Sequence, residues 1–433
     1  MPSHRSQATP KSSMHPARRM RRWSGRALAP TLLLGAGIAA AGPSQAESTY
    51  DADVSGAPDI ATRDTLLGDM GGLRPAAQAR GLSFDAVAIG DYSIVLDGGA
   101  EPRATAARYL IEAGIELDTE AAFGWPGGTL RASYLGFHGD NGNLDSGDIQ
   151  VYSNIDETPL DAFYSLWYRQ DLFDERLAIK IGKMDANEDF AYVDNGDQFL
   201  NSSPGFSPTI LAFPSYPDPA TGIALFAELP AGVYARAGVY DGSSLNGRRT
   251  GTRGPDNFLG DDSDRFSVGE VGLEYRLAEL DGRLGFGYWR HDGDFPRFDG
   301  GVDDSSDGVY LVWDQSLYDD PASPLAVDGF AQYGRADEQV SELASHIGAG
   351  VQVTGLIADR PDDLTGLMVS RVDFSDAPGA GFTQDHETAL EVFHAVQVTP
   401  WMALKPDFQY IVNPGGMGLD DARVATLRGE IAF

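Results

Sequence analysis

The chain has 433 residues, no cysteine, and 64 acidic against 32 basic residues, for a net charge of −32. So large a carboxylate surplus argues against nucleic acid as a partner, because phosphate binding needs clustered Lys and Arg. The lack of cysteine excludes a disulfide-stapled array of small domains but not export, and no apolar run reaches the roughly 18 residues of a membrane-spanning helix.

The N-terminus reads as an address. Arg18, Arg19, Arg21, Arg22 and Arg26 precede an apolar stretch from Ala27 through Leu32, Leu33, Leu34 and Ile38 to Ala41. Ser44-Gln45-Ala46 then offers a small-x-small cleavage site before Glu47, the pattern of a secretory signal peptide over residues 1–46. Met14 and Met20 are alternative starts. The apolar residues expected directly after a twin-arginine pair are missing, so cofactor-loaded export is the minor reading.

Residues 47–80 form a periplasmic lead-in. It is polar and Gly/Ala/Asp-rich at first, then reads as a short helix from Asp69-Met70-Gly71-Gly72 through Arg80, stopped by Gly81. From residue 81 to 433 the periodicity is two. Tyr109, Ile111, Ala113, Ile115 and Leu117 oppose Arg108, Glu112, Glu116 and Asp118, with Leu110 the large apolar exception. Leu177, Ile179 and Ile181 oppose Arg176 and Lys180; Val271, Leu273 and Tyr275 oppose Glu270, Glu274 and Arg276; Met402, Leu404, Phe408, Tyr410 and Val412 oppose Lys405, Asp407 and Gln409. Such alternation puts one face in an apolar medium and the other in water.

A soluble sandwich alternates too. Three features favour a transmembrane antiparallel β-barrel. Tyr109, Tyr168, Tyr288 and Tyr410 sit on the apolar faces as an interfacial girdle would. The opposite faces carry paired charges, which a water-filled lumen tolerates. The last strand has Leu427, Ile431 and Phe433 on one face and ends at Phe433, an aggregation hazard in a soluble fold but a closing strand and assembly signal in a barrel. Gly139–Gly147, Gly242–Asp264, Asp292–Asp307 and Ser375–Asp385 are expected separators, uneven in length as short turns and longer loops would be.

Signatures of catalysis are missing: there is no G-x-S-x-G, P-loop, complete G-x-G-x-x-G or H-E-x-x-H. The seven histidines show no metal-ligand spacing, and Asp140-Asn141-Gly142-Asn143-Leu144-Asp145 lacks the closing Glu of a calcium loop, so it reads as an Asx-rich turn, as do Asp261, Asp262 and Asp264. No metal and no cofactor are expected.

Several stretches resemble the carbohydrate-selective porin family, OprB, over about Leu66 to Phe433. They are Gly68-Asp69-Met70-Gly71-Gly72-Leu73-Arg74, Gly124-Trp125-Pro126-Gly127-Gly128-Thr129, Gly147-Asp148-Ile149-Gln150 with Ser153-Asn154-Ile155, Leu166-Trp167-Tyr168, Gly182-Lys183-Met184-Asp185-Ala186-Asn187-Glu188-Asp189-Phe190, and Phe199-Leu200-Asn201-Ser202-Ser203. Gly355-Leu356 with Asp359-Arg360-Pro361, Glu387 with Glu391, and the run from Pro406 to Gly416 follow. The resemblance implies about 16 strands in the outer membrane of a Gram-negative bacterium and passive diffusion of glucose and related neutral sugars, without cofactor or energy coupling. Met70 stands where an aromatic residue is expected.

Strand parity assigns Glu112, Glu116, Arg131, Trp167, Arg169, Lys180, Arg236, Glu274, Arg276, Glu391, Asp407, Gln409, Arg428 and Glu430 to the lumen. Most of these need be no more than a solvated wall. Arg131, Trp167, Arg169, Lys180 and Glu391 are the expected constriction contacts, from their inward parity and their closeness to the motifs around Trp167, Lys183 and Glu387. Asp185-Ala186-Asn187 and Asn201-Ser202-Ser203 are either inward loop contacts or local turn chemistry. Rival readings are a general or cation-preferring porin, a barrel lipase with His394 on the outer wall, and a plugged structural barrel. Outer-membrane lipids, lipopolysaccharide and, through Phe433, the assembly machinery are the other expected partners.

Overall fold

The structure is a computed structural model and describes residues 59–242, 255–260, 264–320 and 322–433. The expected signal segment, the start of the lead-in, Asp261 and Asp262 lie outside these residues. Among them, sixteen strands run in sequence: β1 Leu82–Asp97, β2 Thr105–Asp118, β3 Gly128–Gly139, β4 Leu160–Leu172, β5 Leu177–Met184, β6 Ala220–Glu228, β7 Val233–Asp241 and β8 Arg265–Leu277. Then come β9 Leu280–Pro296, β10 Val302–Asp319, β11 Ala326–Ala336, β12 Leu343–Thr354, β13 Leu364–Phe374, β14 His386–Thr399, β15 Met402–Val412 and β16 Ala422–Ala432. Each pairs antiparallel with its neighbours, and β1 pairs with β16, so the sheet closes. Closure leaves no strand edge unpaired, which a hydrocarbon surround requires.

The alternation becomes two faces. Tyr109, Ile111 and Ile115 are exposed outward, while Arg108, Leu110 and Glu112 are buried on the lumen side. Leu110 is out of phase for a reason: with Val87, Ile89, Leu135 and Phe137 it forms an apolar patch on the inner wall, against which Ile155 and Tyr164 pack. On β4 the register with β3 slips between Ser133 and Tyr134, so that both Tyr164 and Ser165 turn inward. This bulge restores phase further along, with Leu166 outside and Trp167 inside. Exposed aromatic residues lie on the strands' outer face towards both rims, Tyr92, Tyr109, Tyr134, Phe163 and Tyr333 towards one and Phe84 and Tyr318 towards the other, where Phe123, Trp125 and Phe173 are exposed in the connections between strands.

The rims differ. One carries the short turns 173–176, 229–232, 278–279 and 400–401, together with the start of β1 and the end of β16. The opposite rim carries the longest connections, 140–159, 185–219 and 242–264. Chain ends and short turns mark the periplasmic side of such a barrel. The expected separator Asp292–Asp307 is mostly strand: β9 continues to Pro296 and β10 starts at Val302. Acidic residues there alternate with inward Phe295 and Ser306, so composition suggested a loop where alternation persisted. The expected lead-in helix is present but short, α1 at Leu73–Gln78, and Gly81 at φ +79° ends that stretch.

Candidate functional site: two inward loops and the wall that holds them

The β5–β6 loop, 185–219, folds into the lumen. Asp185 starts it as an Asx turn, accepting the Asn187 amide at 2.8 Å, and also accepts the Tyr164 hydroxyl at 2.5 Å and the Tyr216 amide at 3.1 Å. The loop then crosses towards β15. The Ala191 amide donates to Glu270 at 3.1 Å, the Asn195 amide to Asp314 at 2.9 Å, and Lys405 Nζ donates to the Gln198 carbonyl at 2.9 Å. At its far end the Leu200 and Asn201 amides both donate to Glu391, at 2.6 and 3.0 Å. Asn201 forms a second Asx turn with the Ser203 amide at 3.0 Å. Each motif makes local turn chemistry, in a segment that reaches across the lumen.

Apolar packing fixes the loop further. Phe190, Phe199 and Ile210 are buried with the wall residues Phe226, Trp289, Phe330 and Phe393. Phe199 meets Phe393 edge-on at 5.0 Å and Phe330 at 5.6 Å between ring centroids. Burying a Phe side chain is worth roughly 1.5–3 kcal/mol, so this segment carries a core of its own inside the barrel.

The β3–β4 loop, 140–159, also turns inward. Its Ile149 and Gln150 amides donate to Glu387 at 2.9 and 3.1 Å, and Gln409 Nε2 donates to the Tyr152 carbonyl at 2.7 Å. The two loops join each other: Asn154 N to the Leu200 carbonyl at 2.6 Å and Ser202 N to the Val151 carbonyl at 3.0 Å. Glu387 and Glu391, four apart on β14 and both inward with Ala389 between them, thus do the same job two inward positions apart. Each carboxylate accepts two consecutive backbone N–H groups, one for each loop. Such charge-assisted bonds are stronger than neutral ones, and a buried N–H left unpaired is costly.

Burial sorts the lumen's ion pairs into two groups. Lys180 is 2% exposed and donates at 2.8 Å to both Glu188 and Asp189 of the β5–β6 loop. Arg428–Asp91 at 2.8 Å, Lys405–Glu430 at 3.2 Å and Arg283–Asp314 at 3.0 Å are similarly enclosed. By contrast, Asp85 is 40% exposed in its bidentate pair with Arg131, at 2.8 and 2.9 Å. Arg169–Asp171, at 2.9 Å, is about one-quarter exposed on both partners, with the Arg169 guanidinium 4.8 Å above the Phe226 ring.

The five expected constriction residues therefore divide. Arg131 and Arg169 lie on adjacent strands, near the periplasmic ends of β3 and β4, with water access. Lys180, Trp167 and Glu391 are enclosed; the Trp167 ring is covered by Lys180 Nζ at 4.6 Å. Sequence reasoning missed Asp85, Asp171 and the loop-holding Asp314, and placed the loop-holding Glu270 only on a polar strand face. Parity marks all of these as inward or nearly so, but depth of enclosure has no local signal. In the loop itself, burial pushes the Glu188 carboxyl up to about 7 against the pull of the Lys180 ammonium.

Comparison with known proteins gives one consistent answer. Residues 104–433 match the family described as carbohydrate-selective porin, OprB family. Porin B of Pseudomonas aeruginosa is 24% identical over 424 residues, covering 85% of this chain and 91% of its own. A high-pH structure of Pseudomonas putida OprB superimposes with a TM-score of 0.77 at 19% identity, over 86% of this chain and 99% of that one. OmpF of Salmonella typhi gives 0.54 at 11% identity, over 82% and 99%. The chain belongs to the carbohydrate-selective porin family, OprB, and is an outer-membrane pore for the passive diffusion of sugars.

Proposed function

We propose that sugars pass along the β1–β4 wall, in the space left by the two inward loops, and meet Arg131–Asp85 and Arg169–Asp171 there. The observation that carries this is the difference in burial: these pairs on β1–β4 keep water access, whereas Lys180 with Glu188 and Asp189, and Arg428 with Asp91, are enclosed. A neutral sugar needs donors and acceptors that replace part of its hydration without trapping it. Two adjacent guanidinium–carboxylate pairs supply both, with no net charge to reject it. Trp167, Lys180 and Glu391 then act at one remove, by holding the loops that set the width of the path.

Passage on this reading involves no covalent step and no cofactor. His394, on the outer face, bonds Thr365 at 2.9 Å, and its other nitrogen lies 3.5 Å from Asp363, which Arg360 already holds bidentately. That is a satisfied surface pair. Export through cleavage after Ala46, contact of the aromatic belts with outer-membrane lipid and lipopolysaccharide, and assembly through Phe433 belong to the same proposal.

The test is sugar-induced current block in planar bilayers. Arg131→Gln and Arg169→Gln should each raise the half-blocking sugar concentration about three- to tenfold, the loss of roughly 1 kcal/mol of polar contact. Unchanged half-blocking concentrations in both variants would place the sugar path elsewhere.

A further inference from the structure

The lead-in makes contacts that a pore does not need. Leu66 N donates to the Ala432 carbonyl at 2.9 Å, continuing the pairing of β16 past the barrel. The Ile60 carbonyl accepts the Trp401 indole N–H at 2.7 Å from the β14–β15 turn. Arg74 donates in three directions: Nε to the Gly68 carbonyl at 3.0 Å, Nη1 to the Phe84 carbonyl on β1 at 2.9 Å, and Nη2 to the Phe433 carbonyl at 3.0 Å. Most other side chains of residues 59–80 are exposed, so these anchors rather than an apolar core hold the segment in place.

The anchors of Leu66 and Arg74 converge on the seam between β1 and β16, and Trp401, whose carbonyl accepts the Ala432 amide at 2.9 Å, lies beside it. The β1–β16 pairing joins residues more than three hundred positions apart, such as Ala88 with Ile431. Closing so long a loop carries the largest chain-entropy cost of any pairing in the sheet, so the seam is the natural weak point of the barrel. Phe433 N donates to the Ala86 carbonyl at 2.9 Å, so the last residue is itself part of the seam. Arg74 can satisfy Phe84 and Phe433 together only when both strands are already in register. Its planar fork of fixed donors suits this, and a lysine ammonium cannot reproduce it.

We propose that residues 59–80 are a strap that docks after the barrel closes and locks the β1–β16 seam at the periplasmic rim, with Arg74 as its clasp. The strap covers the end of β16 and the carbonyl of Phe433 in the finished pore. It slows reopening of the seam and leaves conduction unchanged.

The experiment refolds the full chain into lipid vesicles. It measures the unfolding rate in urea and hydrogen exchange at the seam amides, Ala86–Gly90 and Gly429–Ala432, against those of the β9–β10 hairpin. Arg74→Ala should unfold about tenfold faster, with lost protection confined to the seam. Arg74→Lys should behave nearly as Arg74→Ala does. Leu66→Pro, which removes the N–H bonded to Ala432, should show a smaller loss in the same place. Gln78→Ala, at an exposed helix position, should match the parent chain. Parent-like unfolding and seam protection in both Arg74→Ala and Leu66→Pro would overturn the proposal. So would protection lost equally from β9–β10, or full rescue by Arg74→Lys. If Arg74→Ala does not fold, Arg74→Lys and Leu66→Pro decide by the same criteria.

Discussion

Removing the Glu391 carboxylate should loosen the β5–β6 loop without opening the barrel. Glu391 is 1% exposed and accepts the Leu200 and Asn201 amides at 2.6 and 3.0 Å. In Glu391→Ala both buried N–H groups lose their acceptor, at about 1–3 kcal/mol each. Phe199, the residue before Leu200, stays packed on Phe330 and Phe393, which opposes complete release. Even a net loss of about 2 kcal/mol raises the undocked fraction roughly thirtyfold. Glu391→Gln keeps one acceptor oxygen and should fall between. In single-channel recordings Glu391→Ala should show frequent conductance steps above the parent level and faster glucose influx in liposome swelling. The ladder of sixteen strands does not involve this side chain, so the heat needed to unfold the barrel should change little. A quiet channel with parent conductance and flux would refute the view that this carboxylate is a loop tether.

Three further outcomes follow from the same geometry. Glu188 holds its proton more tightly in the docked loop, at about 7, than at the ordinary glutamate value of 4.5. Docking should therefore be firmest below about pH 4.5 and weaken as pH rises through 7, seen as conductance noise that grows over that window; a pH-independent Glu188→Gln channel is expected, and a noise profile that keeps its slope in that variant would remove Glu188 as the cause. Gly98 has φ +67°, and a Cβ there would lie 2.0 Å from the Asp421 carbonyl, so Gly98→Ala should lower the unfolding temperature and displace the β15–β16 loop; an unchanged melt would contradict the close approach. The chain carries 64 acidic against 32 basic residues, so a salt gradient should give a reversal potential favouring cations, and a potential favouring anions would contradict that charge balance.

Much of the barrel was legible in the sequence because period-two alternation is a local property. Tyr109, Ile111 and Ile115 face out, and Arg108, Glu112 and Lys180 face in, as parity requires. The strand number came from family resemblance, since alternation does not count strands reliably where bulges such as that at Tyr164 shift the phase. The acidic ends of β9 and β10 read as a loop because their composition is loop-like, although their alternation persists. For the site, parity found the correct face for all five expected residues but not their depth. Whether Lys180 meets water or Glu188 depends on a loop folding back on the wall. Whether Glu391 does depends on Leu200, 191 positions away. Contacts at that separation leave no periodic trace. The asymmetry between Arg131, which keeps water access, and Lys180, which does not, is a property of the loops' tertiary path.

The central claim is that the pore holds a sugar site, not only a polar opening. Planar-bilayer recording of the parent channel across a panel of mono- and disaccharides tests it most directly. Saturable inhibition of ion current by at least one neutral sugar, weakened in Arg131→Gln, is the predicted result. Current that falls only with solution viscosity, for every sugar, would contradict it.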